Sequence, residues 1–557
     1  MPASEHRDSG TGINESTDAS GAMVLATDTA DRNSSVTQHR LLGPRHVDLP
    51  FLAAFLLVGA AALFQNLFRL SRAPLLFDEQ LYAAMGWRYA QWNSLPLAGQ
   101  SSRGNNFDHP PLAKLLFGVS ESMLGQESIT AARAVSVVCT LLAALILGLW
   151  LGRLVNRWVG LLAGGLLALI PMSVFPELTR FGRTAMLDPV AQLFMVCSVV
   201  LGWYWFRGSG RRSWLLALAA GVMAGLASAS KESGFLGLVV PVMLGLVWAG
   251  PSLRSLLLRA GQVVAAGVAA GVAFYCCYLP FSDPIGRIRY LYDFQSEHSQ
   301  RGHLVGLAGQ VFIHPPWWAN LWFAGQAVGP ILTWTLPIAA VCAVVIRRDR
   351  LVAWLVAALV GPFVFHSFVA GVALPFYWAL WAPIPVALAA LGVAEVGALA
   401  LRATSGRQRV VVGFTTAVAV VALLIPIVGQ MREVQSLQPV SLSAVPQIRA
   451  QLGLKGTIIT SGTYLPEISP FIPNTHISHK LPANLATVDT VLLGQPRCRT
   501  LIDPTIRAFV ATNVRSGSLR LVRSDRLFRV YVASQPLHAP SRAEIDSEPK
   551  GRLADNC

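Results

Sequence analysis

From Leu49 to Gly429 the sequence passes through one apolar stretch of about twenty residues after another, separated by polar connections. A bilayer's hydrocarbon core is about 30 Å thick and takes about 20 apolar residues of helix to cross. Inside it every backbone N–H and C=O must be paired within the spanning element, which leaves helices for a chain of this pattern. Spans are predicted at 49–69, 131–151, 158–176, 187–206, 213–229, 235–250, 260–279, 327–346, 351–370, 374–394 and 410–430, about eleven in all. Composition agrees, with 53% hydrophobic and 13% charged residues, against roughly 25% charged in ordinary soluble domains. A soluble multidomain protein is excluded, and so is disorder over most of the chain.

The ends read differently. Residues 1–48 are polar, lack apolar periodicity and are expected to form a disordered cytoplasmic tail. The first apolar run is long enough to span, so it is not read as a cleaved signal peptide. Beyond the membrane body at 49–430, the runs GTIIT, DTVLLG, LRLVR and LFRVYVA, with helical stretches near 444–452 and 503–514, predict a small α/β domain over 431–535. A disordered tail is expected over 536–557. The fold class is therefore mainly α, a polytopic membrane protein with a small C-terminal α/β domain.

Alternate short connections hold thirteen basic residues: Arg153 and Arg157; Arg207, Arg211 and Arg212; Arg254 and Arg259; Arg347, Arg348 and Arg350; and Arg402, Arg407 and Arg409. The positive-inside rule makes these connections and the N-terminus cytoplasmic. The other face then owns the C-terminal domain and two long loops, at about 70–130 and 280–326. The net charge of +15 is largely this topology signal, so nucleic acid is not read as a partner. Thirteen acidic residues lie in 49–429, and eleven of them fall on or near the extracytoplasmic side, all but Asp349 and Glu395. Acids contribute little to orientation, so their surplus on one face points to chemistry there.

Four groups could carry that chemistry. Asp78 and Glu79 open a helical pattern directly after the first span, where one could act as a general base or both could serve the helix dipole. Asp108, His109 and Lys114 lie in NNFDHPPLAKLL, where the two prolines suit the first turn of a helix. Arg180, Arg183 and Asp188 lie in LTRFGRTAMLD; paired guanidinium groups suit a phosphate, or else anchor at lipid headgroups. Lys231 and Glu232 lie between two span ends, where a lysine needs an ion-pair partner or a phosphate. The spacing of His298, His303 and His314 does not make a metal site. No cofactor is indicated, and a divalent metal stays open.

Taken together, the Asp-Glu after the first span, HPPL in the same loop, R-x-x-M-L-D before the fourth span and the lysine of the next outer turn resemble the GT-C membrane glycosyltransferases that use polyprenyl-phosphate sugars. The nearest likeness is to the protein O-mannosyltransferase family, through HPPLAKLL and RTAMLD, with the aminoarabinose transferases acting on lipid A as a second relative. It covers about residues 49–330. The resemblance implies an inverting transferase with Asp78 as general base, Arg183 and Lys231 at the lipid phosphate with His109 as a further candidate, and Glu79 and Asp188 orienting these groups or touching the sugar. Arg180 and Lys114 join the donor-binding set. The implied partners are a polyprenyl-phosphate-linked sugar, membrane lipid and an acceptor hydroxyl on a protein, lipid or envelope glycan outside the cytoplasm. The alternatives are a multispanning transporter or flippase, or a non-catalytic binder of lipid-linked sugars.

Overall fold

A computed structural model of the chain describes residues 48–73, 78–91, 106–174, 179–248, 252–303, 305–308, 310–403, 406–437, 444–461, 475–494, 503–524 and 528–548. All but the last residue of the expected N-terminal tail lies outside the described residues, as do Glu177, Cys498 and Cys557. In chain order the membrane part contains α1 (Leu49–Leu67), α2 (Glu79–Ala90), α3 (Leu112–Met123), α4 (Ile129–Leu154), α5 (Arg157–Leu169), α6 (Leu187–Arg207), α7 (Gly210–Ser230), α8 (Leu236–Val247), α9 (Leu253–Cys276), α10 (Pro284–Arg301), α11 (Ala319–Val328), α12 (Pro330–Arg347), α13 (Arg350–Val364), α14 (Pro383–Ala403) and α15 (Arg407–Ser436).

Among the described residues eight of these helices are long and apolar enough to cross a membrane: α1, α4, α6, α7, α9, α12, α13 with the π turn that extends it to Val369, and α14. Two further expected spans are shorter apolar helices, Arg157–Leu169 and Glu232–Val247, and the last expected span falls on α15. The span expected over 158–176 stops at Leu169, because Pro171 pushes Ile170 into an extended conformation with ψ 139°. The remaining length folds back as the hairpin β1 (Ser173–Val174) and β2 (Thr179–Arg180). The span expected from 374 starts only at Pro383, since Tyr377–Leu380 form a 3₁₀ turn. Both shortfalls leave irregular backbone at the same end of the bundle, where α6 begins and α7 ends.

Hydrocarbon supplies no hydrophobic drive between helices, so small residues that allow close backbone approach hold such bundles together. Gly221 and Gly225 of α7 face α9, where an added Cβ would lie 2.1 Å from the Ala266 carbonyl oxygen and 2.2 Å from that of Ala270. The same device sets the crossing of α2 and α3: a Cβ on Gly118 would lie 2.0 Å from the Gly86 carbonyl oxygen. That crossing fixes the separation of Asp78, at the start of α2, from His109, just before α3.

The second long loop comprises α10, the hairpin β3 (Val305–Leu307) and β4 (Gln310–Phe312), and α11. After α15 come α16 (Val445–Gln451) and a five-stranded sheet of β5 (Thr457–Ser461), β6 (Ile477–Ser478), β7 (Val488–Gly494), β8 (Leu519–Ser524) and β9 (Phe528–Ala533). Its order is β6-β5-β7-β9-β8, with β5 parallel to both neighbours and the other pairings antiparallel. The helix Pro504–Arg515 packs Ile506, Phe509 and Val510 against Ile459, Val491 and Tyr531 of the sheet. Within the stretch expected as a disordered tail, Arg542–Ser547 form a short helix closed by a capping box between Ser541 and Glu544.

Gly118→Ala is expected to lower the thermal unfolding temperature of the purified protein, as overpacking by about 1–3 kcal/mol would. Gly267→Ala, where an added Cβ meets nothing within 4 Å, should leave it unchanged. Equal effects would remove the α2–α3 approach as a constraint.

Candidate active site

Asp78 precedes α2 and is half-buried, and its side chain makes no capping hydrogen bond to the helix. One helical turn on, Tyr82 is buried and packs edge-on to the His109 ring, with centroids 5.8 Å apart. His109 Nδ1 lies 3.6 Å from Glu232 Oε2 and 3.5 Å from Gln295 Nε2 of α10. Tyr290 of the same helix donates to Asp108 Oδ1 at 2.7 Å, and Gln295 donates to the Asp108 carbonyl at 2.6 Å. Thus α10 of the second long loop clamps the His-Pro-Pro turn of the first.

Lys231 ends α7, and its ammonium pairs with Asp188 at the start of α6. It also lies over the rings of Tyr377, 4.3 Å from the centroid, and Phe376, 5.2 Å away. The three carboxylates Asp78, Asp188 and Glu232 all act electrostatically on the same two phenols, Tyr82 and Tyr377. Burial first, and then the Asp78 charge, holds the Tyr82 hydroxyl well above the ordinary phenol range. At Tyr377 burial is again the largest cause, followed by Glu232, Asp188 and Asp78. Both tyrosines therefore present neutral hydroxyls beside a concentration of negative charge.

Four of the expected site residues are engaged elsewhere. Glu79, grouped with Asp78 as catalytic, is fully buried: it accepts from Arg133 Nε at 2.6 Å, Arg133 Nη2 at 2.9 Å and the Ala185 amide at 2.7 Å. Both of its oxygens are thus bonded inside the protein, to Arg133 and to the backbone that leads into α6. Arg180, expected at the phosphate, donates to Asn66 Oδ1 and to the carbonyls of Leu167 (3.1 Å), Ala168 (2.7 Å) and Ile170 (3.4 Å). Arg183 donates to the carbonyls of Gln65 at 2.5 Å and Phe68 at 2.7 Å. The last carbonyls of a helix have no intrahelical partner, and these two arginines cap the ends of α5 and α1. Lys114, fully buried, donates to the Asn106 carbonyl and side chain and to the His109 carbonyl at 2.9 Å, which fixes the His-Pro-Pro turn from behind. Burial pulls its ammonium down to about 7.

Arg133, Tyr82, Tyr377 and His366 were not singled out from the sequence. Arg133 and His366 stand inside predicted apolar spans, and an ionisable residue there is by itself a signal of function. The two tyrosines carried no such mark. No group of three or more His, Cys, Asp or Glu residues suited to a metal occurs among the described residues.

Residues 108–279 match the family model described as dolichyl-phosphate-mannose-protein mannosyltransferase. Among solved structures, apo ArnT from Cupriavidus metallidurans is 16% identical, covers 86% of this chain and 97% of its own, and superposes with a TM-score of 0.56. ArnT from the same organism bound to undecaprenyl phosphate gives 14% identity, 88% and 99% coverage and a TM-score of 0.57. The apo oligosaccharyltransferase of Archaeoglobus fulgidus gives 12% identity, 80% and 69% coverage and a TM-score of 0.51. No curated protein matches the chain. The fold is the GT-C fold with a small C-terminal sheet domain.

Breaking the buried pair with Arg133→Met is expected to cost about 3–5 kcal/mol, because the Glu79 carboxylate is left in the interior without its cation. Adding Glu79→Gln should recover part of that loss, so the double variant unfolds later than the sum of the two single changes predicts. Strict additivity in a thermal unfolding cycle would refute the pairing.

Proposed function

We propose that this chain is a membrane glycosyltransferase of the GT-C fold, related through residues 108–279 to the protein mannosyltransferases, and that it moves a sugar from a polyprenyl-phosphate donor to an acceptor hydroxyl, with inversion at the anomeric carbon. The observation that carries this reading is the convergence of Asp78, Asp188 and Glu232 on Tyr82 and Tyr377, with Lys231 among them. Asp78 is the general base. As the acceptor oxygen bonds to the anomeric carbon its proton passes to Asp78, the bond from that carbon to the phosphate oxygen breaks, and polyprenyl phosphate departs. Lys231 is the cation for the departing phosphate, the electrostatic part of the catalysis, with His109 beside it. Asp188 holds Lys231 in place until the donor arrives. Undecaprenyl phosphate in the ArnT structure of the same fold supports a lipid phosphate as the donor's anchor.

The site lies opposite the connections that carry Arg153, Arg207 and Arg347, so the positive-inside rule puts the reaction outside the cytoplasm. The buried charges Arg133, Asp188 and Lys231 sit at or near helix ends. A transporter would place such groups along a path through the midplane.

Asp78→Asn is expected to lower transfer from a polyprenyl-phosphate sugar by about 10²–10⁴-fold, the range of general-base catalysis, while donor binding persists. Undiminished turnover in the folded variant removes Asp78 as the base. In direct titrations with undecaprenyl phosphate, Lys231→Ala should weaken binding by about tenfold or more, the loss of one charge-assisted contact. Arg183→Ala should lower the unfolding temperature without that loss, and the reverse pattern would restore Arg183 to the phosphate.

A further inference from the structure

Below the end of α13 the helix widens into a single π turn, Phe365–Val369, closed by a bond from the Ala370 amide to the Phe365 carbonyl at 2.8 Å. Such turns re-aim one side chain and gather at functional sites. Here the side chain is His366. It is 5% exposed, yet neither ring nitrogen has a hydrogen-bond partner. A buried donor or acceptor left unmade costs about 1–3 kcal/mol, and buried polar groups are almost always paired.

The surroundings point in one direction. The His366 ring stands 5.4 Å from the ring of Tyr377, and both Lys231 and Glu232 act on it electrostatically. Glu232 Oε2 faces the His109 ring, 3.6 Å from Nδ1 and beyond hydrogen-bonding distance. The His366 carbonyl is held by Asn320 Nδ2 at 2.9 Å, so the turn itself is anchored while neither nitrogen of the ring is hydrogen-bonded. The Tyr377 ring thus has the unpartnered His366 imidazole on one contact and the Lys231 ammonium on another, with Glu232, the residue after Lys231, within electrostatic reach of both.

We propose that Glu232 and His366 form the sugar-reading wall of the donor site, binding hydroxyl groups of the transferred glycosyl unit, and that the site takes a neutral, hydroxyl-bearing sugar in preference to one carrying a carboxylate. This rests on the donor reading above. A sugar hydroxyl both donates and accepts, which matches a carboxylate that only accepts and a neutral imidazole that does one of each. The Tyr377 ring offers an apolar face to the sugar between them. Charge sets the preference: Asp78, Asp188 and Glu232 all act on Tyr377, and Lys231 is shared between Asp188 and the lipid phosphate, so a sugar carboxylate would meet the repulsion of three carboxylates.

The test is direct binding to the full-length protein in lipid nanodiscs, with undecaprenyl phosphate, undecaprenyl-phosphate mannose and undecaprenyl-phosphate glucuronate as probes. Glu232→Gln and His366→Phe should each weaken the mannosyl lipid by about tenfold and leave undecaprenyl phosphate within about twofold, the share of one hydrogen bond to a charged or buried group. His366→Gln, which restores a donor and an acceptor, should recover part of the loss. The wild type should bind the mannosyl lipid at least about tenfold more tightly than the glucuronosyl lipid. Variants that weaken both the bare and the mannosyl lipid alike, or neither, overturn the sugar-reading wall and leave the donor reading standing. Equal or tighter binding of the glucuronosyl lipid overturns the preference. If His366→Phe does not fold, Glu232→Gln decides by the same criterion. A wild-type protein that binds none of the three lipids overturns the donor reading and the wall with it.

Discussion

The buried ion pair of Glu79 and Arg133 is the fastening on which the site depends. Arg133 joins its Nε and Nη2 to the two oxygens of Glu79 and turns Nη1 to the carbonyls of Leu70 and Ala73, at 2.9 and 3.0 Å. Glu79 also accepts the Ala185 amide. Three segments distant in sequence therefore meet at one carboxylate: the chain leaving α1, the start of α4, and the turn that leads into α6. Asp78 is the residue before Glu79, and Asp188 comes three after Ala185. Two charges out of water are costly unless every lone pair and proton is satisfied, and this geometry satisfies them. The pair fixes the backbone next to Asp78, the proposed base.

Most of the neighbouring cations are likewise committed to partners inside the protein. Arg180 and Arg183 close the ends of α5 and α1, and Lys114 holds the turn carrying His109. Each meets carbonyl oxygens that a membrane interior would leave unpaired at a cost of several kcal/mol each. Lys231 is different. Its partner is a single carboxylate, and its other contacts are aromatic faces, so an arriving phosphate can share it without exposing any backbone group. The electrostatics of the site thus come down to one mobile allegiance among several fixed ones.

Much of this was legible in the sequence. The series of apolar runs dictated a helical membrane body, and the β-rich runs GTIIT, DTVLLG, LRLVR and LFRVYVA marked four of the five strands of the C-terminal sheet. His109 of the His-Pro-Pro turn does come within 3.6 Å of Glu232 of the Lys-Glu pair, and the Lys231–Asp188 pairing is one of the outcomes a lysine in that position allowed. What the motifs could not reveal is what each cation binds. A phosphate oxygen and a helix-terminal carbonyl are both acceptors, and R-x-x-R beside a helix end suits either. Local sequence does not say that α5 stops short at Pro171 and leaves its last carbonyls for Arg180. Tyr377 and His366 escaped notice because they come from distant turns that only the folded bundle brings to Lys231, although a histidine inside an apolar run was itself a mark.

The central claim is that the donor phosphate sits at Lys231 with the anomeric carbon facing Asp78. Cryo-electron microscopy of the full-length protein with a non-transferable polyprenyl-phosphonate sugar tests it most directly. The account predicts phosphonate density in contact with the Lys231 ammonium and the anomeric carbon turned toward the Asp78 carboxylate. Density for the phosphonate at the opposite end of the bundle, among the arginines of the α6–α7 connection, would contradict it.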